Sequence, residues 1–473
     1  MRRSLMASGT AALVLAGTAA VGPAAAPRTA AQSNEDALIK RARGIHERVI
    51  ALDTHDDINP GNFTAERNYT QDLGNQVNLP KMMAGGLDAS FFIVYVGQGA
   101  LTPEGYDSAY QQAIEKFEAI HRLTEKIAPD KIALALTAAD VRRIAKSGKK
   151  VALIGVENGY PLGDASTAIK RVHEFYERGG RYLSLAHNGH SQLADSNTGE
   201  ANNDWLHNGL SPLGKEVIAA LNQVGIMVDL SHPSKQANMQ AIALSKAPVI
   251  ASHSAARALC NHSRDLDDEA LLALKKNGGV VQTVAFSNYV KTPPPPSAER
   301  VAALTKLEEE FGLPAGSLGR GGRGGGGGRG RGAAGAAPPA TGAPPAGAGE
   351  GRGRGRGGAL AQLSEEKRAE AQKRLDDINV TFPPPPRANV KDFVDHIDYI
   401  AKKIGIDHVG ISSDFDGGGG VDGWNDASET FNVTLELVRR GYTEEQIGKI
   451  WSGNLLRVME EVRQVALKLQ RTK

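Results

Sequence analysis

The sequence places an imidazole and two carboxylates together just after an apolar segment, where His55-Asp56-Asp57 follows Val49–Thr54. Side chains alternate sides in an extended chain, so His55 and Asp57 point the same way. An imidazole and a carboxylate on one side can share a metal ion. Taken alone, the pattern also fits a polar strand end in solvent.

Five further apolar segments end in a side chain that could bind a metal or carry a proton. These side chains are Glu157, His187, His232, His253 and Asp414. Each alone is more often a structural histidine or a helix cap. Together at one edge, uncompensated carboxylates would each cost several kcal/mol, which bound divalent cations would remove. Histidine and carboxylate ligands suit zinc, and two ions bridged by a carboxylate suit hydrolysis.

Eight short apolar segments, interpreted as strands, must bring these side chains together. They are Val49–Thr54, Ala89–Val94, Val151–Val156, Tyr182–Ala186, Ile226–Leu230, Pro248–Ser252, Gly279–Ala285 and His408–Ser413. The amphipathic stretches between them predict helices, among them 109–127, 166–178, 213–224, 235–244 and 391–404. Strands that alternate with helices in this way predict an α/β fold, a (β/α)8 TIM-like barrel. The active site of such a barrel lies where the carboxyl ends of its strands meet.

A region of different composition, 290–386, follows the seventh predicted strand. It opens and closes on runs of four prolines and contains two charged helical stretches, about 298–311 and 364–377. The Gly/Arg/Ala/Pro tract between them cannot bury enough apolar surface to offset its chain entropy, which predicts disorder. We therefore expect a long low-complexity insertion after strand 7, which leaves from the mouth of the barrel.

The first 31 residues are typical of a secretory signal peptide. Two arginines precede an Ala-rich apolar run from Leu5 to Val21, and the small residues at 29–31 offer a cleavage site. The run is short and interrupted by glycine, which disfavours a membrane span, although an uncleaved anchor is the alternative. We expect an exported protein, periplasmic or extracellular, with a metallohydrolase barrel over 34–289 and 387–473.

The charge of the chain is unevenly distributed. The net charge is +2, but 315–358 carries seven Arg and one Glu, and the first 31 residues carry three Arg and no acid. Subtracting these contributions leaves about −7 on the remainder, so no nucleic-acid partner is expected for the barrel. The single cysteine, Cys260, excludes an intramolecular disulfide and is interpreted as a packed residue.

Several motifs, in their order and spacing, carry a family resemblance. They are 53–57, 155–157, 181–188, 229–232, 252–259 with Arg264, and 408–417. They resemble the membrane (renal-type) dipeptidases, metallopeptidases of the amidohydrolase-like superfamily. The likeness runs from about residue 45 to 462, apart from 290–386.

The resemblance implies a zinc-dependent dipeptidase with two Zn²⁺ per subunit. By this resemblance His55 and Asp57 bind one zinc, and His232 and His253 bind the second. Glu157 bridges both ions and so belongs to both the metal site and the catalytic site. Members of the family are often dimers, which leaves a homodimer open.

The resemblance also implies roles for three further residues. His187 lies near the substrate carbonyl and donates to the developing oxyanion. Arg264 holds the terminal carboxylate of a dipeptide. Asp414 passes the proton of the attacking water to the leaving amine. Two cations flanking that water lower its pKa to about 7, which gives a metal-bridging hydroxide for attack on the peptide bond.

The chain departs from the family pattern at three positions. Thr54 and Asp56 stand where the family commonly has Gly and Asn, and Asp265 stands where it commonly has Asn. The charge of Asp265 beside Arg264 could weaken the hold of that arginine on a carboxylate. These differences bear on substrate preference more than on metal binding.

Two other functions remain open. The first is a related two-metal amidohydrolase on the same barrel, such as a deacylase, lactonase or β-lactam hydrolase. The second is an exported polyanion-binding protein with a vestigial barrel, because the Gly/Arg tract resembles RNA-binding RGG segments. The tract has no interleaved aromatic residues, which favours a solvated linker or a loose lid over the active site.

Overall fold

The computed structural model describes residues 30–318 and 359–472, and in them nine parallel strands form one sheet. The strands are β1 Leu52–Asp57, β2 Ala89–Tyr95, β3 Ile132–Leu134, β4 Lys150–Glu157, β5 Gly180–Ser184, β6 Met227–Asp229, β7 Ile250–Ser254, β8 Val280–Val284 and β9 Val409–Ser412. Eight of them form a ring in the order β1-β2-β4-β5-β6-β7-β8-β9. The short β3 pairs only with the first residues of β4.

Fifteen α-helices accompany these strands over the described residues. They are α1 Ala30–Arg48, α2 Leu79–Gly85, α3 Pro103–Arg122, α4 Ala138–Lys146, α5 Ala168–Glu177, α6 Pro212–Val224, α7 Lys235–Leu244, α8 Asp268–Asn277, α9 Ser287–Val290, α10 Ala298–Glu310, α11 Glu365–Thr381, α12 Val390–Ile404, α13 Phe431–Arg439, α14 Glu444–Gly448 and α15 Asn454–Arg471. Many of the helices begin at a side-chain cap. In α12, Asn389 and Asp392 form a full capping box.

The predicted (β/α)8 barrel is confirmed, with changes at the strand ends. All eight predicted segments overlap the eight strands of the ring, while β3 was missed because three residues are too few to show a pattern. His55, Asp57 and His253 lie within β1 and β7 rather than after them. Glu157 is the last residue of β4. The side chains still point to the same mouth.

The apolar runs of the strands are buried on both faces, as in other parallel sheets covered by helices. In β2, Phe92 and Val94 pack in the large core that includes the surrounding helices. Phe91 and Ile93 point the other way, into a second core with Tyr182. This double burial holds the carboxyl ends of the strands in a fixed ring.

The barrel closes between β1 and β9 largely through side chains. Asp57 N donates to Phe415 O at 2.9 Å, a single backbone bridge. Asp53 Oδ1 accepts from Ser413 N at 2.9 Å, and Asp56 Oδ1 accepts from Ser413 Oγ at 3.1 Å. Both carboxylates are fully buried. Asp56, a departure from the family pattern, is therefore part of the closure of the barrel.

The predicted insertion begins and ends at one point of the rim. Ala388 N donates to Ser287 Oγ at 3.0 Å, which joins the two chain segments that flank 290–386. Within it, α10 and α11 overlap the two predicted helical stretches and pack on each other, with a 2.6 Å ion pair between Glu310 and Arg374. Residues 319–358, which hold most of the Gly/Arg tract, lie outside the described residues.

Residues 1–29, which contain nearly all of the predicted signal peptide, lie outside the described residues. Within the described residues, no helix has the length and apolar character to cross a membrane. Cys260 is 3% exposed and packs near Thr292, as expected for a packed residue.

We expect the substitution Asp56→Asn to stabilise the protein at pH 8. Burial and the neighbouring Asp53 charge raise the pKa of Asp56 well above its ordinary value. The native state therefore binds the proton more tightly than the unfolded state, and stability falls as pH rises through the native pKa. Asn cannot ionise, so it removes this loss, and we expect a gain of about 1–3 kcal/mol.

The gain is measured by urea unfolding of wild type and variant with a chelator present. It should be larger at pH 8 than at pH 4.5, because at pH 4.5 position 56 is neutral in the native state of both proteins and only part of the loss is present. A variant that is less stable than wild type at pH 8 would contradict this account of the closure.

Candidate metal centre

Seven of the predicted site residues meet at the carboxyl end of the barrel. They form three overlapping groups in which the candidate ligand atoms lie within 4.8 Å of one another: His55, Asp57 and Glu157; Glu157, His187 and His232; and His55, His253 and Asp414. The parallel strands bring these residues, up to 359 positions apart in sequence, to one edge of the sheet. The predicted convergence is therefore present in the structure.

Glu157 lies at the centre of the cluster. Its Oε1 is 2.9 Å from His232 Nε2, 3.3 Å from His253 Nε2, 3.6 Å from His55 Nε2 and 3.8 Å from His187 Nε2. Burial alone would raise the pKa of Glu157, but the surrounding histidines hold it well below the usual range. Glu157 is therefore a buried carboxylate in position to contact two cations at once.

A tyrosine fixes the orientation of His55. Tyr182 Oη donates to Thr54 O at 3.0 Å, so it accepts from His55 Nδ1, which is 2.8 Å away. Gly155 leaves the space for this ring, since a Cβ there would lie 2.2 Å from it. The other ring nitrogen, His55 Nε2, is buried and has no hydrogen-bond partner among the described residues.

The two carboxylates that face His55 Nε2 are beyond hydrogen-bond distance. Asp57 Oδ2 is 3.8 Å away and Glu157 Oε1 is 3.6 Å away. Burial lowers the pKa of His55, but the charges of Glu157, Asp414 and Asp57 outweigh it and raise the pKa to about 10. A positive charge is thus strongly favoured at this nitrogen, and a bound cation would supply it in place of the proton.

A serine and an aspartate orient His253 in a similar way. Ser252 Oγ donates to Asp229 Oδ2 at 2.6 Å and so accepts from His253 Nδ1 at 2.8 Å. The proton is therefore on Nδ1, and the lone pair of Nε2 faces the cluster. Such carboxylate-linked contacts commonly orient histidines that bind metals.

His232 Nε2 and His253 Nε2 lie only 3.0 Å apart. Burial lowers the pKa of both histidines well below the usual value, so both rings are neutral. Two neutral imidazole nitrogens that also face Glu157 are suited to a shared cation, because metal ligation requires deprotonated histidine. His232 Nδ1 is buried without a hydrogen-bond partner among the described residues.

His232 and Asp414 reach the cluster from strained backbone positions. Their φ angles are +82° and +59°, in the left-handed region that costs non-glycine residues about 1 kcal/mol or more. The turn at Asp414 is held by Gly419 N, which donates to Asp414 O at 2.7 Å. Strain of this kind persists only where the surrounding structure enforces it.

Asp414 and His187 have opposite protonation preferences. Burial raises the pKa of Asp414 to about 8, with Asp57 and Glu157 adding to the shift and His55 opposing it. Burial lowers the pKa of His187 to about 4, against the charge of Glu157. At neutral pH a proton is therefore held at Asp414, while His187 is a neutral ring.

Arg264 is buried beside the cluster. Its guanidinium donates to His253 O at 3.2 Å and lies 5.4 Å from the centre of the Tyr289 ring, while Nε has no hydrogen-bond partner among the described residues. Asp265 Oδ1 accepts from Ala255 N at 3.0 Å rather than from Arg264. The guanidinium thus keeps donor capacity for a ligand.

Comparison with known proteins places the chain in a family. The family model for membrane dipeptidases, peptidase family M19, matches residues 39–473. The chain belongs to the membrane dipeptidase family. This family consists of metallopeptidases, so membership makes the chain a peptide hydrolase whose chemistry uses a metal cofactor.

Individual relatives agree with this assignment. The chain is 28% identical to dipeptidase tcpJ of Claviceps purpurea over 402 residues, which covers 84% of this chain and 72% of the relative. It is similar to the crystal structure of the probable dipeptidase PvdM from Pseudomonas aeruginosa, with 32% identity and a TM-score of 0.69. The match covers 91% of this chain and 100% of that chain.

A second solved structure supports the fold alone. It is a metallopeptidase from Rhodobacter sphaeroides bound to a phosphinate mimic of the dipeptide L-Ala-D-Ala, 18% identical with a TM-score of 0.59. The match covers 88% of this chain and 99% of that chain. This metallopeptidase and the chain thus share the barrel even at low identity.

Sequence reasoning did not single out the residues that orient the ligands. Tyr182, Asp229 and Ser252 entered the prediction only as parts of strands and of family motifs. Contacts such as that between His55 and Tyr182, 127 positions apart, leave no local signal. Gly417, which leaves space for the carboxylates, was also missed.

We expect the substitution Gly417→Ala to weaken metal binding. A Cβ at this position would lie 2.3 Å from Asp414 Oδ1 and 2.4 Å from Asp57 Oδ2, so both carboxylates would have to move. Changes to the surroundings that position metal ligands commonly cost about 10- to 100-fold in metal affinity, and we expect a loss in this range. The affinity is measured by competition with a chromophoric chelator.

The matched control is Gly74→Ala, because nothing lies within 4 Å of a Cβ at Gly74. This control should bind metal as wild type does. Equal affinity in the Gly417→Ala protein would show that the two carboxylates do not need this space.

Proposed function

We propose that this protein is a zinc-dependent dipeptidase that hydrolyses the peptide bond of dipeptides at a centre of two zinc ions. The observation that supports it best is the approach of the Nε2 atoms of His232, His253 and His55 to one oxygen of Glu157, at 2.9, 3.3 and 3.6 Å. Imidazoles and a carboxylate are ligands that zinc prefers, and a bound ion would take the place of the proton on His55.

The donor set of this chain fits two ions. His55 and Asp57 would hold one ion, and His232 and His253 would hold the other, with Glu157 between them. The buried Nε2 of His55, which has no partner among the described residues, supports this fit. When bound, the two ions would polarise the peptide carbonyl and lower the pKa of water to about 7.

Three residues of the chain would then act on the substrate. Asp414 groups with His55 and His253, and bound cations beside it would favour its ionised form. The ionised carboxylate would take the proton of the attacking water and give it to the leaving amine. His187, 13% exposed at the side chain, lies 3.8 Å from Glu157 and would donate to the oxygen of the carbonyl. Arg264 would bind the terminal carboxylate through its free donors.

Arg264 would also set the length of the substrate. A buried guanidinium beside the metal ligands leaves room for few residues between the reacting bond and a carboxylate. The similar proteins tcpJ and PvdM are described as a dipeptidase and a probable dipeptidase, which agrees with this limit. We further propose export through the predicted signal peptide; a homodimer stays an expectation.

Removal of metal should abolish dipeptide hydrolysis, and zinc should restore it. The purified protein is dialysed against a chelator, analysed for metal content, and assayed on Ala-Ala before and after addition of zinc. We expect the restored activity to rise to its maximum at about two equivalents of bound ion. Full activity in metal-free protein would overturn the proposed function.

The substitution Asp414→Asn should lower kcat about 10²- to 10⁴-fold while the metal content stays unchanged. An amide cannot carry the proton, but it preserves the size of the side chain. The measurements are kcat on Ala-Ala and metal analysis of the same sample. The control is Asp422→Asn, an exposed carboxylate of the same segment, which should be fully active. Near-normal turnover in the Asp414 variant would remove it as the proton carrier.

A further inference from the structure

A lysine lies on the inner face of α3, where apolar residues are expected. Ala113 and Ile120, which are three residues before it and four after it, are both fully buried. Lys116 lies between them on the same helix face, and it is only partly exposed. A charged side chain in this position is directed towards the barrel rather than into bulk solvent.

The side chain of Lys116 reaches the edge of the metal centre through Tyr95. Its Nζ is 5.6 Å from the centre of the Tyr95 ring, and that ring is 4.5 Å from the ring of His187. Neither Lys116 Nζ nor Tyr95 Oη has a hydrogen-bond or ion-pair partner among the described residues. Both residues are partly exposed, and neither atom is among the fully buried ones, so both atoms can meet a ligand.

The positive charge of Lys116 is balanced by carboxylates that form no ion pair with it. Burial lowers its pKa, whereas the charges of Asp57 and Glu157 favour the protonated form. Both carboxylates are proposed metal ligands, so bound cations would neutralise them. Of the carboxylates that favour the protonated lysine, the exposed Glu115 alone would then remain, so an anionic group of the substrate could supply the missing counter-charge.

Lys116 and Arg264 lie on opposite sides of the mouth. Lys116 is on the helix that follows β2, and Arg264 follows β7. In the ring of eight strands, β2 and β7 are four strands apart in either direction. A dipeptide whose terminal carboxylate binds Arg264 would therefore extend across the metal centre towards Lys116 with its amino-terminal residue.

We propose that Lys116 and the hydroxyl of Tyr95 form a subsite for a carboxylate on the side chain of the first residue of the dipeptide. The substrate class favoured by this subsite is dipeptides that begin with Glu or Asp. The inference rests on the proposed function and deepens it, because it assigns a specificity-determining role to a residue outside the metal ligands.

The test compares two substrates that differ only in charge, Glu-Ala and Gln-Ala, with the metal-loaded full-length protein. Wild type should have the higher kcat/KM on Glu-Ala, and Lys116→Met should lower the ratio of the two values about tenfold. Lys116→Arg should retain a preference for Glu-Ala, because it keeps the charge. Lys126→Met, an exposed lysine just beyond α3, is the matched control and should leave the ratio unchanged.

Binding provides a second readout that does not depend on turnover. Phosphinate mimics of Glu-Ala and Gln-Ala are titrated calorimetrically. Wild type should bind the Glu-Ala mimic more tightly than the Gln-Ala mimic, and Lys116→Met should reduce this difference in affinity. A ratio that is the same in wild type and Lys116→Met, in either measurement, would overturn the subsite alone. Failure of wild type to hydrolyse Glu-Ala, Gln-Ala and Ala-Ala would overturn the proposed function and the subsite with it.

Discussion

The structure depends on one electrostatic constraint, the burial of the Glu157 carboxylate among four imidazoles at the mouth of a barrel. Asp57 and Asp414 add two more carboxyl groups to the same small volume. A protein interior tolerates such a set only when counter-charges are present. In this chain a proton on His55 and another on Asp414 provide part of the balance, and divalent cations would provide all of it.

The oriented histidines explain why this cluster favours metal rather than a network of hydrogen bonds. Tyr182 and Ser252 each accept from the Nδ1 of one histidine, which leaves both Nε2 atoms directed at Glu157. These two contacts come from β5 and β7, strands that are buried on both faces. Each of these two histidines is therefore held in place by one side-chain contact from the rigid sheet. Left-handed turns position the other two side chains, His232 and Asp414.

Much of this arrangement could be predicted from the sequence, because its main features are periodic. The strands appear as apolar runs, and His55, Glu157, His232 and His253 each stand at or near the end of one. The strand ends were less predictable: β1 extends to Asp57 because its ladder with β2 continues past the apolar run. The roles of Tyr182, Gly417 and Lys116 could not be predicted, since each depends on a neighbour distant in sequence.

The bond between Ala388 and Ser287 has a consequence for how this chain could have changed over time. The chain leaves the barrel for the segment 290–386 and returns to it at neighbouring points of the rim. Loop-closure entropy grows only slowly with loop length. Residues can therefore be inserted or deleted between these two points at little cost to the stability of the barrel. Insertions at the rim next to Tyr289 and Arg264 can thus lengthen the chain close to the proposed active site while the barrel itself stays unchanged.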